Sequence, residues 1–328
     1  MQQEQIYRAM ALFQAPLEFY QEFILMLTEA EIRLILDIGN QGPLYETELC
    51  QRIVENGLSR DPLQFIRQCY NRSVLCKDRD AENRLTYRLD TFYNRLGDYA
   101  IYENEDWGRI PKERRQALDH WKHRAYMEDY QESVEKIMQG EDVPMHNRAF
   151  LTLEETMALF DRQPEPVIVN PCHCKSMIRD QNRPRHVCLS WADNQDNTPY
   201  DRGHGEAISR EEAKRRIRQW NAQGLMQCGD EYGFCNCDGR CCYPLRMAKR
   251  LGSRGLYPAP NCRIQFHAQK CDGCAQEAEG PRCVKLCNFG AFLQKDGKIV
   301  YRPEQCWRCG VCAANCPQNA ISALPLQP

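Results

Sequence analysis

The sequence predicts an α+β chain in three parts: a helical, winged-helix-like N-terminal domain, a cysteine-rich middle segment, and a C-terminal module of short strands and helices. Three observations carry this prediction. Capped helical stretches followed by an alternating hairpin fill the first third. Of 20 cysteines in 328 residues, all but Cys50, Cys69 and Cys76 lie between Cys172 and Cys316. The end of the chain holds two closely spaced cysteine runs around an Asp-Gly hairpin signal. The expected boundaries are 1–110, a helical bridge at 111–160, a metal-bearing segment at 161–260, and 261–328.

In the first domain, Leu27-Thr28-Glu29-Ala30-Glu31 starts a helix, with Thr28 as N-cap and Glu31 completing a capping box. Asn40-Gln41-Gly42-Pro43 ends it. Tyr45 to Val54 reads as a second helix. Ser59 is the expected N-cap of a third, with Phe65, Ile66 and Tyr70 on one face. Leu75-Cys76-Lys77 and Arg84 to Leu89 then bracket a polar turn, Asp78 to Asn83, as a hairpin does. Three helices and a hairpin over about residues 25–95 resemble a winged helix-turn-helix. Charge argues against DNA. Residues 1–110 carry 12 Lys+Arg and 18 Asp+Glu, a net of −6, and an acidic surface repels phosphate. Partner docking or dimerisation fits better. Cys50, Cys69 and Cys76 read as buried small hydrophobes. In the bridge, Ala117, Leu118, Trp121, Ala125, Tyr126 and Tyr130 recur at helical steps, and His120 and His123 read as surface groups.

The middle segment opens with the apolar run Val167-Ile168-Val169, a buried strand that delivers Cys172-His173-Cys174-Lys175. Cys188 follows. Ser209 and Glu212 cap a helix through Arg218, which ends near Gly224. Cys228 and the cluster Cys235, Cys237, Cys241 and Cys242 come next. Eight cysteines thus fall within residues 172–242. Adjacent thiolates repel, and coordination to a metal offsets that repulsion. C-x-C and C-C spacings suit a regular zinc knuckle poorly. A further iron–sulfur cluster is therefore preferred, with zinc as the alternative. The expected donors are Cys172, Cys174, Cys188, Cys235, Cys237, Cys241 and Cys242. Cys228 is the weakest candidate and Cys262 is expected to be free.

At the C-terminus, residues 306–317 read C-x2-C-x2-C-x3-C-P, the spacing that wraps three thiolates around one 4Fe-4S cubane and turns the fourth toward another. The partner run, Cys271, Cys274, Cys283 and Cys287, is spaced C-x2-C-x8-C-x3-C. A pseudo-twofold βαβ repeat crosses ligands between halves. One cluster should take Cys271, Cys274, Cys283 and Cys316, the other Cys306, Cys309, Cys312 and Cys287. The first run has a long loop, with Glu277 and Glu279 expected to lower that cluster's potential, and Asn288 in place of the usual proline.

The C-x-C-K, the later Cys188, the C-N-C-x3-C-C-x-P-L-R stretch and the terminal cysteine runs together resemble a family of anaerobic 4Fe-4S dicluster-containing oxidoreductase proteins. The resemblance covers about residues 160–328, and 25–110 loosely. It implies electron transfer in anaerobic redox metabolism. Asp238 stands where that family often has another cysteine.

These readings converge on an electron-transfer protein or oxidoreductase subunit. It would relay single electrons to or from a redox partner, flavin-containing or not, with a homodimer as another use of the first domain. Two other functions compete: a redox-sensing regulator using the winged-helix-like domain, and an enzyme with chemistry at the middle segment. No dinucleotide or P-loop fingerprint occurs. The unleadered start, the lack of a long apolar stretch and the thiol density point to a reducing cytoplasm and no membrane span.

Overall fold

The computed structural model describes residues 1–39, 41–179, 183–191, 195–229, 233–275 and 280–326. The chain divides into two compact units: Met1–Lys122 with Asp193–Gly205, and His123–Ala192 with Glu206–Pro328.

The first unit contains α1 (Gln3–Leu12), α2 (Tyr20–Met26), α3 (Glu29–Ile38), β1 (Leu44–Tyr45), α4 (Glu46–Glu55), α5 (Pro62–Asn71), β2 (Leu75–Arg79), β3 (Leu85–Leu89), α6 (Phe92–Tyr102) and α7 (Asn104–Arg109). The strands form an antiparallel sheet in the order β1-β3-β2. The start of α3 follows from its sequence. Thr28 Oγ1 accepts from the Glu31 amide at 3.2 Å, and Glu31 Oε2 accepts from the Thr28 amide at 2.7 Å. The cap of α5 differs from expectation. Asp61 Oδ1 accepts from the Gln64 amide at 2.9 Å, whereas Ser59 bonds only within the preceding turn. Pro62 explains the shift: its fixed φ and missing N–H favour the first helical position, which leaves Asp61 as cap. The core is aromatic, with Phe19 stacked on Phe92 and Phe92 against Trp121 of α8 (Lys112–Met138). Cys69 and Cys76 are buried as expected, but Cys50 is only half-buried.

Residues 195–205 lie within the stretch read as cysteine-rich, yet they bond to the first unit. Lys77 Nζ donates to Asp201 at 2.6 Å. Arg202 is 6 % exposed and forms a 2.8 Å ion pair with Asp90, itself 3 % exposed, while also donating to the Leu75 carbonyl at 3.0 Å.

The second unit is built on a seven-stranded sheet. Its strands are β4 (Ala149–Leu151), β5 (Val167–Pro171), β6 (His186–Trp191), β7 (Glu206–Ile208), β8 (Met226–Gly229), β9 (Phe234–Cys237) and β10 (Ala259–Pro260). Their order is β10-β4-β8-β9-β6-β5-β7, antiparallel except for β10 on β4. α9 (Leu153–Phe160) and α11 (Arg210–Ala222) contribute Phe160 and Ile217 to a core shared with Val169, Leu189, Trp191 and Phe234. The Ser209 cap of α11 forms as expected. α10 (His173–Ile178) and α12 (Tyr243–Leu251) begin directly after cysteines. His123, expected at the surface, is buried with its ring edge-on to Tyr243 at 5.2 Å. The surrounding tyrosines enclose it, and a period-3.6 pattern cannot reveal them because Tyr243 lies 120 residues away.

The C-terminal module adds β11 (Cys262–Phe266), α13 (Arg282–Leu286), β12 (Phe292–Lys295), β13 (Lys298–Tyr301), α14 (Val311–Ala314) and β14 (Ile321–Pro325). β11 pairs with β14, and β12 with β13 across the expected Asp296-Gly297 turn. The strands that open and close the module are thus joined, so its two cysteine runs are folded back on each other. Phe292 fills the middle, edge-on to Phe266 and stacked on Tyr301. Among the described residues, no helix is long and apolar enough to cross a membrane.

Candidate metal centres

The eight cysteines of the C-terminal module gather into two sets. Cys271, Cys274, Cys283 and Cys316 line one cavity, together with Phe266, Ile299 and Ile321. Cys287, Cys306, Cys309 and Cys312 line another, walled by Ile264, Phe289, Trp307 and Val311. Each cavity takes three thiols from one run and one from the other. The β11–β14 pairing brings Cys316 back to the first run, while α13 carries Cys287 toward the second.

Local geometry explains how so short a chain wraps each cavity. Gly273 (φ 68°) and Cys274 (φ 55°) are consecutive left-handed residues, and Asp272 Oδ1 accepts from the Cys274 amide at 2.8 Å. Backbone amides point at sulfur: Ala291 to Cys287 at 3.2 Å, Arg308 to Cys306 at 3.3 Å, and Ala320 to Cys316 at 3.2 Å. Such N–H···S contacts stabilise negative charge on sulfur and are one of the levers on cluster potential. Burial pushes the Cys283 thiol up to about 12 and raises those of Cys309 and Cys312. An apolar wall disfavours a free thiolate, so a coordinated metal is the natural counter-charge. Four thiols on one apolar-walled space are the donor set of a cubane, and the residues present fit that group. Glu277 and Glu279 lie outside the described residues.

The middle segment brings six of its seven expected donors into one ring. Cys172 bonds to Cys174 and Cys188, Cys188 to Cys235, Cys235 to Cys237, and Cys237 to Cys242. The ring closes at Cys174, whose sulfur accepts from the amide of Tyr243, the residue after Cys242, at 3.3 Å. The ring draws on the end of β5, the start of α10, β6, β9 and the turn into α12. Hydrogen bonds from neighbouring thiols hold Cys172 and Cys235 well below the ordinary thiol range, and the same bonds raise Cys174, Cys188 and Cys237. Cys241 is buried beside the ring, its amide donating to Asp238 Oδ1 at 3.0 Å. Cys228 faces Cys235 across β8 and β9, and its sulfur contacts the Asn147 carbonyl at 3.3 Å. Cys262 is buried, with its thiol donating to the Arg308 carbonyl. Among the described residues, no three His, Cys, Asp or Glu groups have the arrangement that holds a single metal ion.

One feature of this site was missed in sequence. Lys175 Nζ lies 3.5 Å from Asp238 Oδ2, and the two are 2 % and 0 % exposed. The pair links the loop carrying Cys172 and Cys174 to the turn between Cys237 and Cys242. Asp238 therefore orders the turn, through the Arg240 and Cys241 amides, and meets a buried cation. No spacing rule relates residues 63 positions apart.

A short C-terminal cavity pair of four thiols each defines a ferredoxin-type iron–sulfur module, and the comparisons agree. The 4Fe-4S binding domain family matches residues 299–322. An uncharacterized ferredoxin of Methanocaldococcus jannaschii is 39% identical over 49 residues, 15% of this chain and 79% of its own length. Through this module the chain belongs to the 4Fe-4S ferredoxin family. The beta subunit of adenylylsulfate reductase from Megalodesulfovibrio gigas is 39% identical over 59 residues, 17% of this chain and 35% of that protein. Ferredoxin-1 of Caulobacter vibrioides is 38% identical over 39 residues, 12% and 34% of the two chains. The chain thus spans about a third of the length of these last two relatives. No solved structure matches.

Proposed function

We propose that this protein is an electron-transfer component of an oxidoreductase, carrying two 4Fe-4S clusters in its C-terminal module and a third in the middle segment. The observation that carries the reading is the sorting of eight thiols into two four-thiol cavities, each combining both cysteine runs. Each bound cluster would hold one electron at a time and pass it on. Cys271, Cys274, Cys283 and Cys316 would hold one, and Cys287, Cys306, Cys309 and Cys312 the other. The amides of Ala291, Arg308 and Ala320 stabilise charge on the ligating sulfurs, while the apolar walls keep water out. The third would draw its donors from Cys172, Cys174, Cys188, Cys235, Cys237, Cys241 and Cys242, of which six already meet in one ring.

A redox partner supplies or receives the electrons. Similarity to a subunit of a multi-subunit reductase supports this. The acidic, winged-helix-like first unit serves as its docking element, and a flavin would sit on that partner. The working compartment is the reducing, anaerobic cytoplasm, where exposed thiolates persist.

Iron, sulfide and zinc per chain on anaerobically purified protein, with EPR after reduction, test this. About 12 irons, no zinc and a third cubane signal are expected. About eight irons with one zinc would make the middle segment structural and reduce the protein to a two-cluster module.

A further inference from the structure

We propose that Cys188 and Cys235 form a redox-active dithiol beside a four-thiol cluster site made by Cys172, Cys174, Cys237 and Cys242, and that the protein reduces a disulfide substrate there. The proposal rests on the middle segment being a cluster site and deepens that reading.

The ring holds six thiols, whereas a cubane takes four. Two are surplus, and the order around the ring separates them. It runs Cys172, Cys174, Cys242, Cys237, Cys235, Cys188 and back to Cys172. Cys172 and Cys174 sit at the start of α10, Cys242 caps α12, and Cys237 is the last residue of β9. What sets the remaining two apart is direct pairing across strands. Cys188 on β6 and Cys235 on β9 are direct partners in the antiparallel register. Directly opposed residues in such a ladder have Cα atoms about 4.5–5.5 Å apart. A disulfide needs Cα atoms about 4.4–6.8 Å apart. The ladder therefore holds this pair at bonding distance with no backbone rearrangement, and the two thiols already contact each other.

Cys172, Cys237 and Cys242 are buried, while Cys174, Cys188 and Cys235 are half-buried. Along β6, Val187, Leu189 and Trp191 are buried and alternate with Cys188, Ser190 and the exposed His186, so Cys188 projects from the wetter side of the strand. The dithiol thus borders the four-thiol set on one side, through Cys172 and Cys237, and solvent on the other.

The chemistry balances with a disulfide as substrate. A thiolate of the pair attacks one substrate sulfur, forming a mixed disulfide and releasing the other sulfur as a thiolate, which takes a proton. The second cysteine of the pair attacks the mixed disulfide, releases the second substrate thiol and closes the Cys188–Cys235 disulfide. Two electrons from a low-potential one-electron donor of the ferredoxin or flavodoxin class, arriving singly, and two protons from water reopen it. The net reaction converts one disulfide, two electrons and two protons into two thiols.

The test uses the full chain, purified anaerobically, with hydroxyethyl disulfide as probe. Wild-type protein is expected to keep its iron, release two mercaptoethanol per chain, and yield a Cys188–Cys235 cross-linked peptide by mass spectrometry. Cys235→Ser should keep its iron and trap mercaptoethanol on Cys188. Cys188→Ser should keep its iron and form no cross-link. Cys174→Ser should lose about four irons. A loss of about four irons from Cys188→Ser or Cys235→Ser, with the two C-terminal EPR signals intact, would overturn the assignment. So would the absence of the cross-link in iron-replete wild-type protein, a result that needs no variant to fold. Wild-type protein with only about eight irons would instead defeat the third-cluster reading, and this proposal with it.

Discussion

Asn288 reaches from the C-terminal module to Gly239, in the turn between Cys237 and Cys241. Its side-chain oxygen accepts from the Gly239 amide at 3.3 Å, and its side-chain nitrogen donates to the Gly224 carbonyl at 2.7 Å. A Cβ on Gly239 would lie 3.0 Å from the Asn288 carbonyl oxygen. The residue that departs from the compact cysteine-run pattern thus helps join the module to the turn between Cys237 and Cys241.

Asn288→Pro would restore the usual residue and remove both bonds. The Gly239 amide, packed under the module, would lose its partner at a cost of about 1–3 kcal/mol. The expected outcome is unchanged iron in the cavity holding Cys287, with a lowered denaturation midpoint for the second unit and faster proteolysis between the ring and the module. Unchanged proteolysis would mean that the contact does not hold the two together.

Crossing of the cysteine runs predicts an asymmetric pattern of damage. Cys316→Ser should perturb the cluster of the first run, and Cys287→Ser that of the second, although each cysteine belongs in sequence to the other run. Cys309→Ser should match Cys287→Ser in its EPR spectrum. Matching spectra from Cys316→Ser and Cys309→Ser would instead mean that the runs do not cross.

The Arg202–Asp90 pair is buried, so breaking it should be far more costly than breaking a surface pair. Arg202→Met leaves Asp90 without its cation, and a loss of about 3–5 kcal/mol in the stability of the first unit is expected by urea titration. Arg202→Met combined with Asp90→Asn should recover part of it, because the uncompensated charge is then gone.

The hairpin should lose stability in acid. Tyr45 donates to Asp80 at 2.5 Å and Arg84 pairs with the same carboxylate at 2.7 Å, which together hold it at about 2 against an ordinary value of 3.8. A carboxyl depressed by folding adds stability above its unfolded pKa, and that stability fades as pH falls through the folded value. The loss should therefore fall between about pH 4 and pH 2. Tyr45→Phe should move the Asp80 titration upward in a carboxyl NMR experiment. An unmoved titration would assign the depression to Arg84 alone.

What the sequence determined by itself was local. The Thr28–Glu31 box, the Ser209 cap and the Asp296-Gly297 turn are each settled by a few adjacent residues whose hydrogen bonds close within one helical turn or hairpin. The terminal cysteine runs were legible for the same reason, since three ligands lie within one tight loop. Tertiary structure decided what depends on pairing distant strands. Cys188 meets Cys235 because β6 lies beside β9. Asp238 faces Lys175, and residues 195–205 bond to the first unit through Arg202 and Asp90. None of these contacts leaves a periodic trace in the chain, because a buried ion pair or a cross-strand thiol pair is defined by which surfaces fold together, not by spacing along the backbone.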